Sequence, residues 1–196
     1  MKSIEFLHIQ SDRIALRELT PGNYERIMTS YSNNELMKFF GYQTYAELEG
    51  EKNRFELGMT MSGKSFNYFH LIEKESGEVM GWCGYHTWFV KHLRAEIGYV
   101  LNHDKYKGKG YMKEAMLPVL KYGFDSMSLH RIEALISPTN VPSLKLIKRF
   151  GFSQEGYLRE HYMNDNKLDD SIIFSLLKHE FDYHKALAAL SGNESV

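Results

Sequence analysis

A short segment in the middle of the chain places two glycines between a strand-like run and a long amphipathic pattern. It covers residues 105–112 and reads KYKGKGYM. Residues 95–101 favour a strand, and apolar residues between positions 112 and 127 recur at the spacing of one helix face. A strand-to-helix junction of this kind leaves backbone N–H groups and the positive end of the helix dipole free to bind an anion. The segment therefore predicts a phosphate site or, as the alternative, a plain tight turn.

The charge balance makes any anion site a local feature. The chain has 24 Lys and Arg residues against 25 Asp and Glu, which gives a formal net charge of -1. We therefore expect no nucleic-acid partner and no attraction to an anionic membrane. Lys105, Lys107 and Lys109 supply positive charge at the glycine pair itself.

Cysteine content and apolar runs bear on the compartment. Cys83 is the only cysteine, which excludes an intramolecular disulfide and a multi-thiolate metal site. No apolar stretch approaches the roughly 20 residues of a membrane span, and residues 1–6 have no signal-peptide core. We expect a soluble, cytoplasmic protein with no membrane partner and no metal.

Other phosphate and metal motifs fail at single positions. A Walker loop needs Ser or Thr after its lysine, whereas Gly110 follows Lys109. A dinucleotide fingerprint needs glycine where the chain has Lys113. The pair at residues 179–180 begins like a zinc-protease helix, but Tyr183 occupies the place of the second histidine.

The remaining patterns alternate strands with helices. A strand at 13–19 leads into a helix that Thr20 caps, and a two-part helical segment at 34–61 breaks at Gly41. The later predicted elements are a hairpin at 66–73 and 79–90, the strand at 95–101, the helix from 112, a strand at 131–136, a helix capped by Asn140, and a hairpin at 152–163 and 168–177. These predict one mixed α/β domain over residues 1–196, with a core of about 11–180 and a tail at 181–196.

A series of short motifs, in matching order and spacing, resembles the RimJ/RimL branch of the GNAT acetyltransferases. The series is RIALR at 13–17, EIGY at 96–99, GKGY at 108–111, RIEA at 131–134, Asn140 with Ser143, GF at 151–152 and EGYLR at 155–159. The resemblance covers residues 13–177. Lys105 departs from it, because the family signature begins with Arg or Gln and lysine lacks the planar guanidinium fork.

The resemblance implies a GNAT fold with acetyl-CoA as co-substrate. Its sheet has seven strands, is mixed but mostly antiparallel, and is flanked by helices. It splays between strands 4 and 5 at a bulge in the fourth strand, here near residues 96–101. The pantetheine arm of acetyl-CoA lies in that opening.

The resemblance also implies site residues. The cofactor set is Val100, Leu101, Lys105, Lys107, Gly108, Lys109, Gly110, Tyr111, Met112 and Asn140. Glu96 matches a position proposed as the base, and Ser143 matches one proposed to protonate the sulfur. The alternatives are a solvated strand carboxylate for Glu96 and a simple helix cap for Ser143. Tyr85, His86 and Trp88 are weaker candidates for an acceptor pocket.

The chemistry of amines favours one acceptor. An α-amino group titrates near 7.7–8.0, so about a tenth is neutral at pH 7, whereas a lysine at about 10.4 is almost wholly charged. A protein N-terminus, whose amine attacks the thioester directly in a ternary complex, therefore suits a weak base, and named RimJ/RimL members acetylate ribosomal-protein N-termini. Alternatives are a polyamine, amino acid or antibiotic as acceptor, or a non-catalytic acyl-CoA-binding module. The chain is expected to be a monomer or homodimer.

Overall fold

The computed structural model describes residues 4–58, 64–164 and 166–191. Its strands are β1 (His8–Gln10), β2 (Ile14–Leu19), β3 (Ser65–Glu73), β4 (Val79–Phe89), β5 (Arg94–Leu101), β6 (Arg131–Ile136), β7 (Ser153–Asn164) and β8 (Lys167–Leu177). Its helices are α1 (Pro21–Ser30), α2 (Asn33–Phe40), α3 (Tyr45–Leu57), α4 (Tyr111–Asp125), α5 (Val141–Arg149) and α6 (Tyr183–Ser191). Residues 59–61 of the predicted helical segment and 192–196 of the predicted tail lie outside the described residues.

The strands form a single open sheet in the order β1-β2-β3-β4-β5-β6-β8-β7. Every neighbouring pair is antiparallel except β5 and β6, which run parallel. The predicted mixed α/β class is therefore confirmed, with one strand more than the seven expected. The extra strand is β1, whose Ile9 lies opposite Leu16. It is only three residues long, which is too short to give a periodic sequence signal.

The sheet parts between β5 and β6. These are strands 4 and 5 of the predicted seven, because β1 was not among the predicted strands. These strands pair only from Arg94 opposite Arg131 to Glu96 opposite Glu133. Residues 97–101 of β5 continue to pair with β4 on their other side. One edge of β5 therefore faces an opening inside the sheet.

The bulge beside this opening is not where the sequence predicted it. We expected it in residues 96–101, but the register shifts in β4, between Tyr85 opposite Ile97 and Thr87 opposite Glu96. The extra residue is His86. Its ring lies over Gly98, where an added Cβ would come within 2.5 Å of the ring. A bulge redirects side chains, and this one brings His86 to Glu96.

The two faces of the sheet carry separate cores because successive strand residues point to opposite sides. In β3, Phe69 and Leu71 belong to the core that includes α4 and α5. Phe66 and Tyr68 belong to the core that includes α1, α2 and α3. The opening between β5 and β6 therefore lies in the sheet that separates these two cores.

Local capping fixes α2 and α3. Ser32 and Thr44 each form a capping box, with Glu35 and Glu47 as the reciprocal partners. Gly41 ends α2 at a left-handed φ of 74°, so the predicted break is confirmed. Among the described residues, no helix is long and apolar enough to cross a lipid bilayer.

A glycine in α4 tests the packing of the larger core. A Cβ at Gly123 would lie 2.1 Å from the hydroxyl oxygen of buried Tyr85, which donates to the carbonyl of Val119 at 2.9 Å. We expect Gly123→Ala to lower the free energy of unfolding by about 2 kcal/mol, because the ring must shift and the bond is lost. Gly50→Ala is the control, since nothing described lies within 4 Å there, and should raise stability by about 0.5 kcal/mol. Urea unfolding measures both, and equal stabilities would contradict the expectation.

Candidate active site

Three cavities adjoin where β5 and β6 part. The turn cavity, of about 580 Å³, is lined by residues that include Leu101, Gly108, Gly110, Met112 and Asn140. The strand gap, of about 170 Å³, is lined by residues that include Glu96, Tyr99, Leu135 and Ser143. The aromatic cavity, of about 480 Å³, is lined by residues that include Phe40, Tyr42, Tyr68, His70 and Trp82. Tyr99, Asn140 and Ser143 line both of the first two cavities, and His86 lines both of the last two.

The corner between β5 and α4 presents backbone amides to the turn cavity. Gly108 and Gly110 have φ values of 71° and 80°, a left-handed conformation that glycine adopts at little cost. Gly110 is the N-cap of α4, and no side chain of the described residues caps this end. The first amides of the helix and its dipole are therefore available to an anion.

Arg13 holds this corner in place. Its backbone N–H and its Nε donate to the Glu114 carboxylate at 2.7 and 2.8 Å, and its Nη1 donates to the carbonyl of Lys109 at 3.0 Å. The guanidinium also lies 4.5 Å from the centre of the Tyr111 ring. These contacts tie the first turn of α4 to the start of β2.

The structure brings most of the predicted cofactor set to one place. The members that line the turn cavity are Val100, Leu101, Lys107, Gly108, Gly110, Tyr111, Met112 and Asn140. Lys105 and Lys109 are not among the lining residues. The Lys105 ammonium pairs with Glu78 at 2.6 Å instead, and Lys109 contributes its backbone to the corner.

The predicted catalytic carboxylate lies in the strand gap. Burial raises the pKa of Glu96 to about 7, and the Glu133 carboxylate adds to the rise, while Arg94 opposes it. The Nε2 of His86 lies 3.5 Å from Oε1 of Glu96, and burial lowers the pKa of that histidine. Glu96 therefore has a proton affinity suited to taking a proton near neutral pH.

Two hydroxyl groups meet on the other side of the gap. Ser143 is in the first turn of α5, where its N–H donates to Oδ1 of the N-cap Asn140 at 3.2 Å. The Tyr99 hydroxyl is buried near Ser143 and makes no well-aligned hydrogen bond to the described part of the chain. Burial raises the pKa of Tyr99 to about 12, although Ser143 lowers it somewhat. The phenol is therefore protonated at neutral pH and has an unused O–H.

The aromatic cavity contains one ion pair. Glu51 is buried in α3 and accepts from the hydroxyls of Tyr24 at 2.8 Å and Tyr42 at 2.5 Å. Arg54 also donates to this carboxylate. The only formal charges among the lining residues are therefore paired with each other.

Some site residues have no signal in the sequence. His86 was a weak candidate and lines two cavities, whereas Tyr85 is fully buried in the core. Tyr99 stood in the EIGY motif without an assigned role. Arg13 stood in the RIALR motif without an assigned role, and Glu51 was missed, because the partners of Arg13 and the burial of Glu51 depend on distant segments.

Comparisons with known proteins agree with this geometry. Residues 13–153 match the family model described as the acetyltransferase (GNAT) domain. An uncharacterized N-acetyltransferase, p20, of Bacillus licheniformis is 33% identical over 175 residues, which covers 88% of this chain and 97% of that protein. The ribosomal protein uS5-alanine N-acetyltransferase of Escherichia coli is 30% identical over 115 residues, 58% of each chain.

Solved structures show the same likeness. The crystal structure of a GNAT-family acetyltransferase from Bacillus anthracis aligns with a TM-score of 0.61 at 30% identity, and covers 89% of this chain and 100% of that one. A family match over residues 13–153 and a relative aligned over nearly its whole length agree on one family. The chain therefore belongs to the GNAT acetyltransferase family and is an N-acetyltransferase.

Proposed function

We propose that the chain acts as one cytoplasmic domain that transfers the acetyl group of acetyl-CoA to a protein or peptide N-terminal α-amine. One observation carries this proposal. Most of the predicted cofactor residues and both predicted catalytic residues line two cavities that share Tyr99, Asn140 and Ser143 at the parted strands. GNAT acetyltransferases use acetyl-CoA, and a cofactor in the turn cavity would present its thioester to the strand gap.

The turn cavity fits the cofactor by its donors. The amides of residues 108–112 and the dipole of α4 would hold the pyrophosphate, with Lys107 adding charge. Val100 and Leu101 would offer main-chain groups to the pantetheine arm, and Asn140 would lie near its reacting end. Lys105 would act indirectly, because its ammonium is paired with Glu78. This ion pair would hold in place the segment that precedes the glycine corner.

The strand gap has a proton acceptor on one side and donors on the other. Glu96 would take the proton of the amine, through water, as the nitrogen attacks the thioester carbonyl. Ser143 and Tyr99 would donate hydrogen bonds to the negative charge that appears when the C–S bond breaks. A pKa near 7 suits Glu96 to an α-amine, which titrates at about 7.7–8.0, better than to a lysine at about 10.4.

Removal of the Tyr99 hydroxyl separates its role in catalysis from any role in stability. The hydroxyl is buried without a good partner, so we expect Tyr99→Phe to leave the melting temperature unchanged or higher. We expect kcat to fall about tenfold, because one donor to the leaving group is lost. Ser143→Ala should have a similar effect on kcat. Unchanged kcat in both variants would exclude these hydroxyls from the reaction.

A thiol-release assay tests the proposed function. Coenzyme A release from acetyl-CoA is followed with N-terminal peptides, free amino acids, an antibiotic amine and spermidine. We expect peptides with a free α-amine to accelerate release, and the same peptides with a blocked N-terminus to be inert. Binding of acetyl-CoA without acceleration by any amine would instead favour a non-catalytic acyl-CoA-binding module.

A further inference from the structure

Four side chains form a row across four strands on the aromatic-cavity side of the sheet. Arg17 of β2 lies opposite His70 of β3, His70 opposite Trp82 of β4, and Trp82 opposite Val100 of β5. His70, Trp82 and Val100 all line the aromatic cavity. The row therefore leads from Val100 of β5 to a cavity-lining histidine two strands away.

The contacts of His70 fix which ring nitrogen carries the proton. Its Nδ1 lies 2.9 Å from Nη2 of Arg17. A guanidinium can only donate, so Nδ1 must accept and the ring hydrogen is on Nε2. Burial and the Arg17 charge both hold the pKa of His70 well below its usual range, so the ring is neutral. Nε2 has no hydrogen-bond partner among the described residues.

Arg17 makes this donor stronger. It donates to the carbonyl of Phe39 at 2.8 Å and lies 3.8 Å from the centre of that ring. It forms no ion pair within the residues that the structure describes, and although burial lowers its pKa to about 10, it stays charged at neutral pH. The uncompensated positive charge of the Arg17 guanidinium, which donates to Nδ1, polarises the imidazole toward donation from Nε2.

We propose that His70 determines acceptor specificity by donating its Nε2–H to a carbonyl oxygen of the acceptor, several bonds away from the reacting amine. This inference rests on the proposed function. Two strand spacings of about 4.8 Å separate His70 from Val100 of β5, the neighbour of Tyr99, so the donor lies on the order of 10 Å from the Tyr99 end of the strand gap. An extended peptide covers about 3.3–3.6 Å per residue, which places the recognised oxygen near the third residue. The acceptor is then a peptide N-terminus rather than a single amino acid.

The charges around the cavity disfavour a polyamine. The carboxylate of Glu51 already accepts from Tyr24, Tyr42 and Arg54, so its charge is not free for a ligand cation. Arg17 stands behind His70 with no carboxylate partner in the described ranges. A polyamine long enough to reach His70 would bring a cation toward Arg17 and offer no oxygen to Nε2.

A substrate series on the unmodified enzyme tests the proposal first. Alaninamide and trialanine amide present similar α-amines, free alanine presents a more basic amine beside its own carboxylate, and spermidine presents a polycation of comparable length to the tripeptide. We expect kcat/KM for trialanine amide to exceed that for each of the other three by at least about tenfold. Equal values for alaninamide and trialanine amide, or a preference for spermidine or alanine, would overturn the role of His70 while leaving acetyl transfer standing. Failure of every amine would instead overturn the proposed function.

Two substitutions then assign the length preference to one atom. His70→Phe keeps a ring without the N–H and should reduce the preference for trialanine amide to about twofold or less. His70→Gln can accept from Arg17 and donate into the cavity, so it should keep the preference within about threefold. His179→Phe, at an exposed position, is the control and should match the unmodified enzyme. A length preference that survives in a folded His70→Phe variant would refute the assignment, and the substrate series still decides the matter if that variant does not fold.

Discussion

Replacing Glu96 with glutamine is expected to lower kcat/KM for an α-amine acceptor by about 10²–10³-fold, because a positioned base contributes on that order to proton transfer. Glutamine keeps the shape of the side chain and cannot take the proton. Coenzyme A affinity should change by less than about twofold, since Glu96 lines the strand gap and not the turn cavity. Glu25→Gln, an exposed carboxylate of α1, is the matched control and should change neither quantity.

The pH profile of the same variant gives an independent readout. The pKa of Glu96 is raised to about 7, so below that pH the carboxyl is protonated and cannot act as a base. We expect kcat/KM of the unmodified enzyme to rise through pH 7 and to continue rising with the amine near pH 8. In Glu96→Gln only the later rise, which belongs to the amine, should remain.

Stability should move in the opposite direction from activity. The pKa of Glu96 is higher in the folded protein than in the unfolded chain, so between about pH 4.5 and 7 the folded state binds more protons. The free energy of unfolding therefore falls as the pH rises through that window. Glu96→Gln removes this penalty and should be at least as stable as the unmodified protein at pH 8. Loss of activity in a Glu96→Gln variant that is less stable than the unmodified protein would point to misfolding. A decrease in kcat/KM of less than about threefold would show that Glu96 is not the base.

Gly110→Asp is expected to weaken coenzyme A binding by about 30- to 100-fold while leaving the protein folded, at a cost in stability of about 1–2 kcal/mol for the left-handed φ. Aspartate tolerates left-handed φ better than most residues, and its carboxylate would lie beside the free amides of α4. There is room for it, because a Cβ at Gly110 meets only Nη2 of Arg13, at 3.6 Å. The new carboxylate would occupy the proposed pyrophosphate site and repel its charge.

Gly110→Asn separates charge from shape at this position. Asparagine has the same size and also adopts left-handed φ, but carries no charge. We expect its effect on the dissociation constant to be less than about fivefold. Calorimetric titration with coenzyme A measures both variants, and unchanged affinity in a folded Gly110→Asp variant would remove the corner from the cofactor site.

The parts of the site that could be predicted are local in sequence. The glycine corner follows from a strand, two glycines and a helix within about twenty residues, and Asn140 caps α5 three residues from Ser143. Such features depend on backbone conformation, which neighbouring residues largely determine. They were therefore visible in the motif series before the fold was known.

The parts that could not be predicted depend on pairs far apart in the chain. Arg13 and Glu114 are 101 residues apart. The ion pair of Lys105, which lies between β5 and α4, depends on Glu78 in the turn between β3 and β4. The position of the bulge in β4 likewise depends on the register between two strands. The residue pattern of a single strand does not determine that register. Periodicity and propensity describe one element at a time, so they do not specify these contacts.

A crystal structure with coenzyme A bound is the most direct test of the proposed cofactor site. We expect the pyrophosphate oxygens within about 3.5 Å of the amides of residues 108–112, and the sulfur in the strand gap near Tyr99 and Ser143. A pyrophosphate bound elsewhere, or a sulfur that does not reach the opening between β5 and β6, would contradict it.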